Sequence, residues 1–228
     1  MRDSVSEELS RLTKDLKRTR EESWVWFAGL PLARVRDHVP VCVSSVQDIL
    51  NHLSYFTEFS DRKTSSSLTP LAWANDLAPT LRGIAVGRRS SRHVVLEFRR
   101  DGTVVFAIKL PVDRAGQAGA RGSAQLNLWS VYEPILSGLH TLLDVQDRFA
   151  MGKANVVQAG LFGFKDMRVI RTDHEVEEQP AFSDAEILLD AIYTPDNWKP
   201  RDIFVEWSRQ IANALGQEEP LACPPWVK

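Results

Sequence analysis

Two alternating apolar runs joined by an Asp-Gly pair constrain the fold most strongly. The stretch reads VVLEFRRDGTVVFAIKLP and runs from Val94 to Pro111. Because Asp101-Gly102 tolerates positive φ at both central positions of a type I′ turn, the sequence predicts a β-hairpin with a two-residue loop. The register of that hairpin pairs residues across the two strands and puts four side chains on the core face: Phe98, Val105, Leu96 and Ala107.

Strand patterns occur on both sides of this hairpin. Trp24 to Leu32 (WVWFAGLPL) predicts a buried strand that ends near its proline, and NVVQAGLFGFKDMRVIRT, residues 155 to 172, predicts a second strand region. Gly160 and Gly163 indicate a bulge or a close approach in this second region. The run EILLDAIYT, residues 186 to 194, is compatible with either a strand or a helix.

Helical periodicity appears between the strands. Ser44 or Ser45 can cap a helix with a broad apolar face, which is typical of a helix that packs on a sheet. A long helix is predicted from about Ser130 to Ala150. Pro134 is tolerable in that helix only within its first turn, because proline has no N–H for a helical hydrogen bond.

Sequence signals indicate both ends of the last helix. Pro200 suits a first helical position, and Gly216 ends the helix. Strands and helices are thus intermixed along the chain, but hairpin chemistry dominates the strands. We therefore predict a single α+β domain with a mostly antiparallel sheet and packed helices.

The N-terminal segment predicts a separate helix over residues 4 to 22. Ser4 and Glu7 fit a capping box. Four apolar residues recur at spacings of four, three and four: Val5, Leu9, Leu12 and Leu16. So narrow a stripe fits either a short coiled-coil contact with a second copy or docking along the edge of its own domain, and we favour a helix that does both in a homodimer over a monomer. The chain divides into this helical segment (1–23), the α+β domain (24–216) and a C-terminal tail (217–228).

The net charge and the cysteine content indicate the cellular compartment and the classes of partner that the protein can bind. The net charge is −2, so no global basic field holds the whole protein on nucleic acid or on an anionic membrane. Cys42 and Cys223 are too sparse to form a disulfide framework, so we expect the reducing cytosol. The charged N-terminus lacks a signal-peptide core, and no run of about 18 apolar residues predicts a membrane span. Cys42, between two valines, is expected to be a small buried hydrophobe.

The familiar catalytic and metal-binding motifs do not occur in the sequence. The histidines are spread along the chain without HExxH or CxxC spacing, and GxSxG, Walker and GxGxxG patterns are missing. An acidic run at residues 173 to 178 is more typical of a solvated loop than of a divalent-ion site. The sequence therefore predicts no catalytic, cofactor-binding or metal-ligating residues, although groups distant in sequence can converge on a catalytic site without a local motif.

Arginines form the one local concentration of charge. Residues 82 to 100 carry six arginines against Glu97 alone, a net charge of about +5. They are Arg82, Arg88, Arg89, Arg92, Arg99 and Arg100. Guanidinium groups can bind phosphates bidentately, which makes this set a candidate nucleic-acid contact. The simpler interpretation is a charged sheet edge that resists pairing with other chains.

The order of elements resembles a known bacterial family. WVWFAGLPL, LRGIAVGRRSSRHVVLEFRRDGTVVFAI, a long helix, NVVQAGLFGFKDMRVI and a helix started by proline follow one another over roughly residues 20 to 216. This order is similar to the C-terminal half of bacterial proteins that begin with a Schlafen-type, AlbA-like DNA-binding domain. The resemblance implies a regulator whose C-terminal half has no established catalytic residues. Because no such DNA-binding domain is recognisable before Trp24, it implies either the sensor half of a longer protein or a stand-alone relative.

Two classes of function follow from the sequence. The first is a non-catalytic interaction or sensing module of a bacterial regulator, which binds a protein partner or a second copy. The second is a nucleic-acid-binding protein or nuclease-like effector that uses the arginine-rich strand and hairpin. The sequence favours the first class, because it shows an ordinary core and no catalytic cluster.

Overall fold

The computed structural model describes six stretches of the chain, which are residues 23–32, 41–55, 68–87, 93–110, 125–170 and 181–217, together with residues 7, 10, 11 and 14. The strands are β1 (Trp24–Pro31), β2 (Leu77–Pro79), β3 (Gly83–Val86), β4 (Val94–Arg99), β5 (Val104–Lys109), β6 (Gln125–Asn127), β7 (Asn155–Phe162), β8 (Arg168–Ile170), β9 (Glu186–Leu188) and β10 (Ile192–Thr194). The helices are α1 (Val43–Asn51), a 3-10 helix (Pro70–Asp76), α2 (Leu128–Arg148) and α3 (Pro200–Ala214).

The strands build one large antiparallel sheet in the described part of the chain. Its order is β10-β7-β1-β5-β4-β3-β2, and β9 also pairs with β7. A small second sheet joins β6 and β8 in parallel. This architecture confirms the predicted α+β class with a mostly antiparallel sheet and packed helices.

Strand β1 lies at the centre of the sheet, between β5 and β7. All eight of its residues are buried, because both faces of the sheet are covered at this point. Val25 and Phe27 point to the face on which the helices pack, whereas Trp24 and Trp26 point to the opposite face. An apolar run without alternation is the pattern expected of a strand buried on both sides.

The main core lies on the helical face of the sheet, where α1, α2 and α3 pack. A Cβ atom on Gly138 of α2 would lie 2.7 Å from Cδ1 of Phe27, so only glycine permits this close packing of α2 on β1. The last helix follows its sequence signals, since it begins at Pro200 and Gly216 adopts a positive φ of 70° directly after it. None of the helices among the described residues is long and apolar enough to cross a membrane.

The opposite face carries a second apolar cluster, here called the tryptophan face. Its members are Trp24, Trp26, Ala28, Leu30, Val105, Ala107, Val156 and Phe162. They come from the three adjacent strands β7, β1 and β5. The rings of Trp26 and Phe162 stack with centroids 6.1 Å apart. The domain is therefore a sheet with an apolar cluster on each side.

The hairpin forms where it is predicted, but the predicted pairing of its strands is wrong by one residue. The N–H of Arg99 donates to the carbonyl of Thr103 at 2.8 Å, and the N–H of Gly102 donates to the carbonyl of Arg99 at 2.9 Å. The loop therefore has three residues, with Gly102 at a φ of +85°. This is the common arrangement of a type I turn followed by a left-handed glycine.

The shifted register changes which side chains share a face. Phe98 pairs with Val104, and Leu96 pairs with Phe106. The four predicted core residues are all buried, but Phe98 and Leu96 belong to the helical face while Val105 and Ala107 belong to the tryptophan face. Because both faces are apolar at this point, hydrophobic alternation could not distinguish the two registers.

The ambiguous segment at residues 186 to 194 is an interrupted strand along the outer side of β7. Leu188 pairs with Gly160, and Ile192 pairs with Val157. Three residues, 189 to 191, therefore oppose two residues of β7, which is the geometry of a β-bulge. This bulge separates β9 from β10.

Two predicted helix features need correction. Helix α2 begins at Leu128, where the side chain of Asn127 accepts a hydrogen bond from the N–H of Trp129 at 2.9 Å. Pro134 consequently lies in the second turn, not the first, and the carbonyl four residues before it loses its helical partner. Helix α1 begins at Val43, two or three residues earlier than a cap at Ser44 or Ser45 predicts, because Cys42 is the N-cap and forms a capping box with Ser45.

Candidate functional site

The described part of the arginine cluster lies where two turns meet. The N–H of Arg100 donates to the carbonyl of Arg82 at 2.9 Å, which joins the hairpin loop to the turn between β2 and β3. Both side chains are exposed. Arg82 and Arg100 therefore present two neighbouring positive charges at one end of the sheet.

Arg99 differs from these two arginines because its side chain is buried. It is 8 % exposed, and its Nη2 and Nε lie 2.9 and 3.0 Å from the same carboxylate oxygen of Glu97. Both residues project from β4 toward the same side of the sheet, as positions two apart in a strand do. The charge of Arg99 is thus matched inside the fold by Glu97.

A shallow cavity of about 380 Å³ lies beside this ion pair. Its lining comes from the β2–β3 turn, from β3 and from the end of β4: Thr80, Leu81, Arg82, Gly83, Ile84, Ala85, Glu97, Phe98 and Arg99. Leu81 is 98 % exposed at its rim. The cavity combines apolar walls with one matched ion pair and one exposed arginine.

The remaining predicted arginines, Arg88, Arg89 and Arg92, lie outside the described residues. Their segment is attached to Gly87 and His93, at the opposite end of β3 and β4 from Arg82 and Arg100. Five residue steps along β4 separate the two ends, which is about 17 Å. The arginines that cluster in sequence are therefore attached to two separate ends of the hairpin ladder.

The tryptophan face continues into exposed apolar side chains on the outer strand. Leu188 lies opposite Gly160, and Tyr193 lies opposite Val156. Val156 belongs to the tryptophan face, and a Cβ on Gly160 would lie 2.5 Å from Nε1 of Trp26. Leu188 and Tyr193 are nevertheless 50 % and 46 % exposed. These two exposed side chains, whose partners lie four residues apart along β7, about 13 Å, are here called the apolar strip.

This strip was missed by sequence reasoning, although a signal for it was present. Six of the nine residues of EILLDAIYT are apolar, and their spacing does not separate a strand from a helix. Only the pairing with β7 shows which of these side chains point away from the core.

The predicted dimer contact residues, Val5, Leu9, Leu12 and Leu16, lie outside the described residues. The described residues of the N-terminal segment are helical and exposed: Glu7, Ser10, Arg11 and Lys14. At 100° per residue, these four positions lie on the side of a helix opposite to the apolar stripe. The structure therefore describes only residues on the polar, exposed side of this segment.

A partly buried polar cluster joins residues 54 and 55, which follow α1, to α2. The side chains of Ser54 and His140 are hydrogen-bonded at 2.9 Å between Oγ and Nδ1, and the N–H of Ser54 donates to Oδ2 of Asp144 at 2.8 Å. Tyr55 donates from its hydroxyl to Glu133 at 3.3 Å. These contacts hold residues 54 and 55 against the long helix.

The protonation of this cluster follows from its burial. Burial lowers the pKa of His140 to about 4 and raises the pKa of Asp144 above its usual value. A histidine with so low a pKa is neutral at pH 7 and is a weak general base. The pair of Ser54 and His140 consequently suits a structural hydrogen bond better than activation of a serine nucleophile.

Cys42 is exposed, contrary to the expectation that it is buried. It precedes α1, where its Sγ lies 3.2 Å from Oγ of Ser44 and 3.3 Å from Oγ of Ser45. Side-chain hydrogen bonds with Ser44, which has the larger effect, and with Ser45 lower the pKa of the Cys42 thiol to about 7. The expectation failed because the two valines beside Cys42 are only partly buried at the start of the helix.

Among the described residues, no three side chains of the types His, Cys, Asp and Glu come together as a potential metal site. The acidic run at 173 to 178 lies outside those residues. Comparisons with protein-family models, with curated proteins and with solved structures found no match to this chain.

Proposed function

We propose that this chain is a non-catalytic interaction or sensing module of a bacterial regulator that acts in the cytoplasm. The observation that supports this function is the apolar strip of Leu188 and Tyr193 beside the tryptophan face. The resemblance in the order of elements to the C-terminal half of such regulators points in the same direction. The proposed partner is a protein that contacts this strip.

The chemistry of the strip suits a protein surface. Large apolar side chains that continue a buried cluster lose water on contact with a partner, and each Å² of apolar area removed from water contributes about 25 cal/mol. Tyrosine is enriched in protein interfaces because it offers a large rigid surface and a polar hydroxyl. The strip also lies on an outer strand of the sheet, where a partner has access from the side.

Crosslinking from the strip tests this function. A benzophenone amino acid at Tyr193 should form an adduct of one discrete mass in host cells after irradiation, and the same group at exposed Asn213 on α3 should not. The partner identified by mass spectrometry is then purified. Leu188→Glu should weaken its binding at least tenfold in calorimetry, because a carboxylate loses its hydration on contact.

The matched control is Asn213→Glu, which adds the same charge away from the strip and should leave the affinity unchanged. Equal adducts from positions 193 and 213, or an affinity that Leu188→Glu does not change, would contradict a partner site at the strip.

Nucleic-acid binding through the arginines is the second candidate function. The exposure of Arg82 and Arg100 side by side favours it, since two guanidinium groups can bind neighbouring phosphates. Arg88, Arg89 and Arg92 would extend the contact. If Arg82 and Arg100 each contact a phosphate, Arg82→Ala with Arg100→Ala should lower the slope of log K against log salt by about two units.

Fluorescence anisotropy with a labelled duplex and a labelled single strand, at increasing salt, measures this slope. Lys165→Ala is the matched control, because it removes an exposed positive charge from another part of the domain. The lack of measurable binding at low salt would eliminate nucleic-acid binding as a function. The proposed protein-binding site at the strip would be unaffected by that result.

A further inference from the structure

The cavity beside the β2–β3 turn opens on a defined face of the large sheet. Ala85 lines it and pairs with Glu97, and Glu97 pairs with Val105 of the tryptophan face. Because directly paired residues share a face, the cavity opens on the same side of the sheet as the tryptophan face. Ile84 and Phe98 also border the cavity, but their side chains belong to the core on the helical face.

Two small residues of β3 form the floor of this cavity. Gly83 has no side chain, and a Cβ at this position would collide with the carbonyl oxygen of Phe98, so only glycine fits. Ala85, two residues further along the strand, contributes one methyl group. The ion pair of Glu97 and Arg99 forms the wall on the side of β4. A flat apolar group can therefore lie on the floor against the β3 backbone.

The rim of the cavity is held in place by hydrogen bonds within the turn. The N–H of Thr80 donates to the carbonyl of Gly83 at 2.7 Å, and the hydroxyl of Thr80 accepts from the N–H groups of Arg82 and Gly83 at 3.3 and 3.2 Å. The carbonyl of Arg82 also accepts the hydrogen bond from the hairpin loop. Leu81 and Arg82 are exposed on this braced turn, so both side chains are accessible to a ligand.

The charges around the cavity favour an anion. Glu97 and Arg99 neutralise each other, and Asp101 uses its carboxylate within its own loop, where it accepts a hydrogen bond from the N–H of Thr103. The positive charge of Arg82 at the rim is then in excess, and a guanidinium group binds a carboxylate through two parallel hydrogen bonds. Because Glu97 repels an anion, we expect the charged end of a ligand at Arg82 and its apolar end over the floor.

We propose that this cavity binds a small aromatic carboxylate, with its ring over Gly83 and Ala85 and its carboxylate on Arg82. The ring also contacts Leu81, and guanidinium planes stack on aromatic rings. The volume of about 380 Å³ suits such a molecule, because ligand cavities begin at about 300 Å³. A bare phosphate makes no use of the apolar floor. The cavity lies near β2 and the strip lies beyond β7, at opposite edges of the sheet, so the proposal does not depend on a partner at the strip.

An NMR titration of the isotope-labelled full-length chain tests the proposal. Phenylacetate at millimolar concentration should cause saturable shifts of the backbone amides of residues 80–85 and 97–99. Phenylacetamide has the ring without the charge and acetate has the charge without the ring, so each should bind roughly fivefold or more weakly than phenylacetate. No saturable shift, shifts centred on other residues, or equal binding of either control would overturn the proposal. Tighter binding of adenosine monophosphate than of phenylacetate would overturn the assignment of a carboxylate and favour a nucleotide.

Two substitutions test the floor and the rim separately. Ala85→Leu should fill the floor and weaken phenylacetate binding about tenfold or more, and Arg82→Ala should weaken it about fivefold or more. Arg209→Ala is the matched control, because it removes an exposed arginine from α3, and it should leave the affinity unchanged. Arg82 is exposed, so its substitution keeps the test valid even if Ala85→Leu does not fold. An unchanged affinity in Arg82→Ala, or in a folded Ala85→Leu, would overturn the proposal.

Discussion

At the scale of single residues, exposure decides what each ionisable or reactive group can do. Arg99 is predicted as a nucleic-acid contact, yet its side chain is buried against Glu97, whereas Cys42 is predicted to be buried and is exposed. In both cases the partners are near in sequence, Glu97 for Arg99, and Ser44 and Ser45 for Cys42. The folded strand and the helix start determine that these contacts form and how far each side chain is exposed.

Cys42 is expected to react as a thiolate near neutral pH. Its pKa of about 7 implies that half of the thiol is ionised there, with the hydroxyls of Ser44 and Ser45 stabilising the anion. The rate of alkylation by iodoacetamide in a Cys223→Ser background should therefore rise to half of its maximum near pH 7. Ser44→Ala should move this midpoint upward, and Ser4→Ala, far from the thiol in sequence, should not. A midpoint near 8.5, the ordinary value for cysteine, would show that the hydroxyls do not stabilise the anion.

At the scale of secondary-structure elements, the hairpin shows how a loop sets a register. The side chain of Asp101 accepts a hydrogen bond from the N–H of Thr103 at 2.9 Å, and the carbonyl of Arg99 accepts one from the N–H of Gly102. These bonds close a three-residue loop. The loop thereby selects between two registers that the apolar strands alone would both accept.

Gly102→Val is expected to destabilise the hairpin. The φ of +85° is unfavourable for a β-branched residue, and a Cβ at this position would lie 2.0 Å from Cε of Met151 and 3.0 Å from Cγ of Pro31. We expect the free energy of unfolding in urea to fall by about 1–3 kcal/mol. Gly152→Val is the control, because a Cβ there would meet nothing within 4 Å. A loss no larger than that of the control would contradict the left-handed loop.

At the scale of the whole molecule, a two-sided sheet is held together by apolar clusters and by a few buried polar contacts. The helical face carries α1, α2 and α3, and the His140 cluster fixes the segment after α1 to α2. A second polar network joins Gln146, Asn155 and Thr194 at the end of β7. The His140 cluster contains ionisable groups, so it couples the stability of the domain to pH.

Acid is expected to destabilise the fold through His140. Its pKa in the folded protein, about 4, lies below its ordinary value of 6.5. The unfolded chain therefore binds more protons between these values, so the stabilising contribution present above pH 6.5 is lost as the pH falls toward 4. Integrated from pH 7 to 4.5, the loss is about 2 kcal/mol. The raised pKa of Asp144 acts in the opposite direction and offsets part of it.

Urea unfolding at pH 7 and pH 4.5 measures this loss. His140→Asn is the matched variant, since it cannot titrate but offers Ser54 a polar group. The difference in unfolding free energy between the two pH values should be smaller in the variant by about 1–2 kcal/mol. An equal pH dependence in both proteins would show that His140 is not the group responsible.

The sequence by itself determined the elements whose signals are local. Proline at the start of α3, glycine after its end and the unbroken apolar run of β1 each act through the backbone or through burial of a single strand, so they predict the same structure in any context. The α+β class follows from these elements and from the hairpin. These features are correct in the structure.

Hydrogen bonds within the folded loop selected the hairpin register, whereas tertiary structure alone decided the strand state of residues 186 to 194 and the exposure of Leu188 and Tyr193. Residues distant in sequence matter throughout: β1 pairs with β5 of the hairpin, the helices pack on one of its faces, and β7 pairs with the ambiguous run. Where both faces of a sheet are apolar, a shift of one residue exchanges one buried face for another, so composition does not distinguish the two arrangements. Pairing across the sheet does distinguish them, because it determines which side chains a partner can reach.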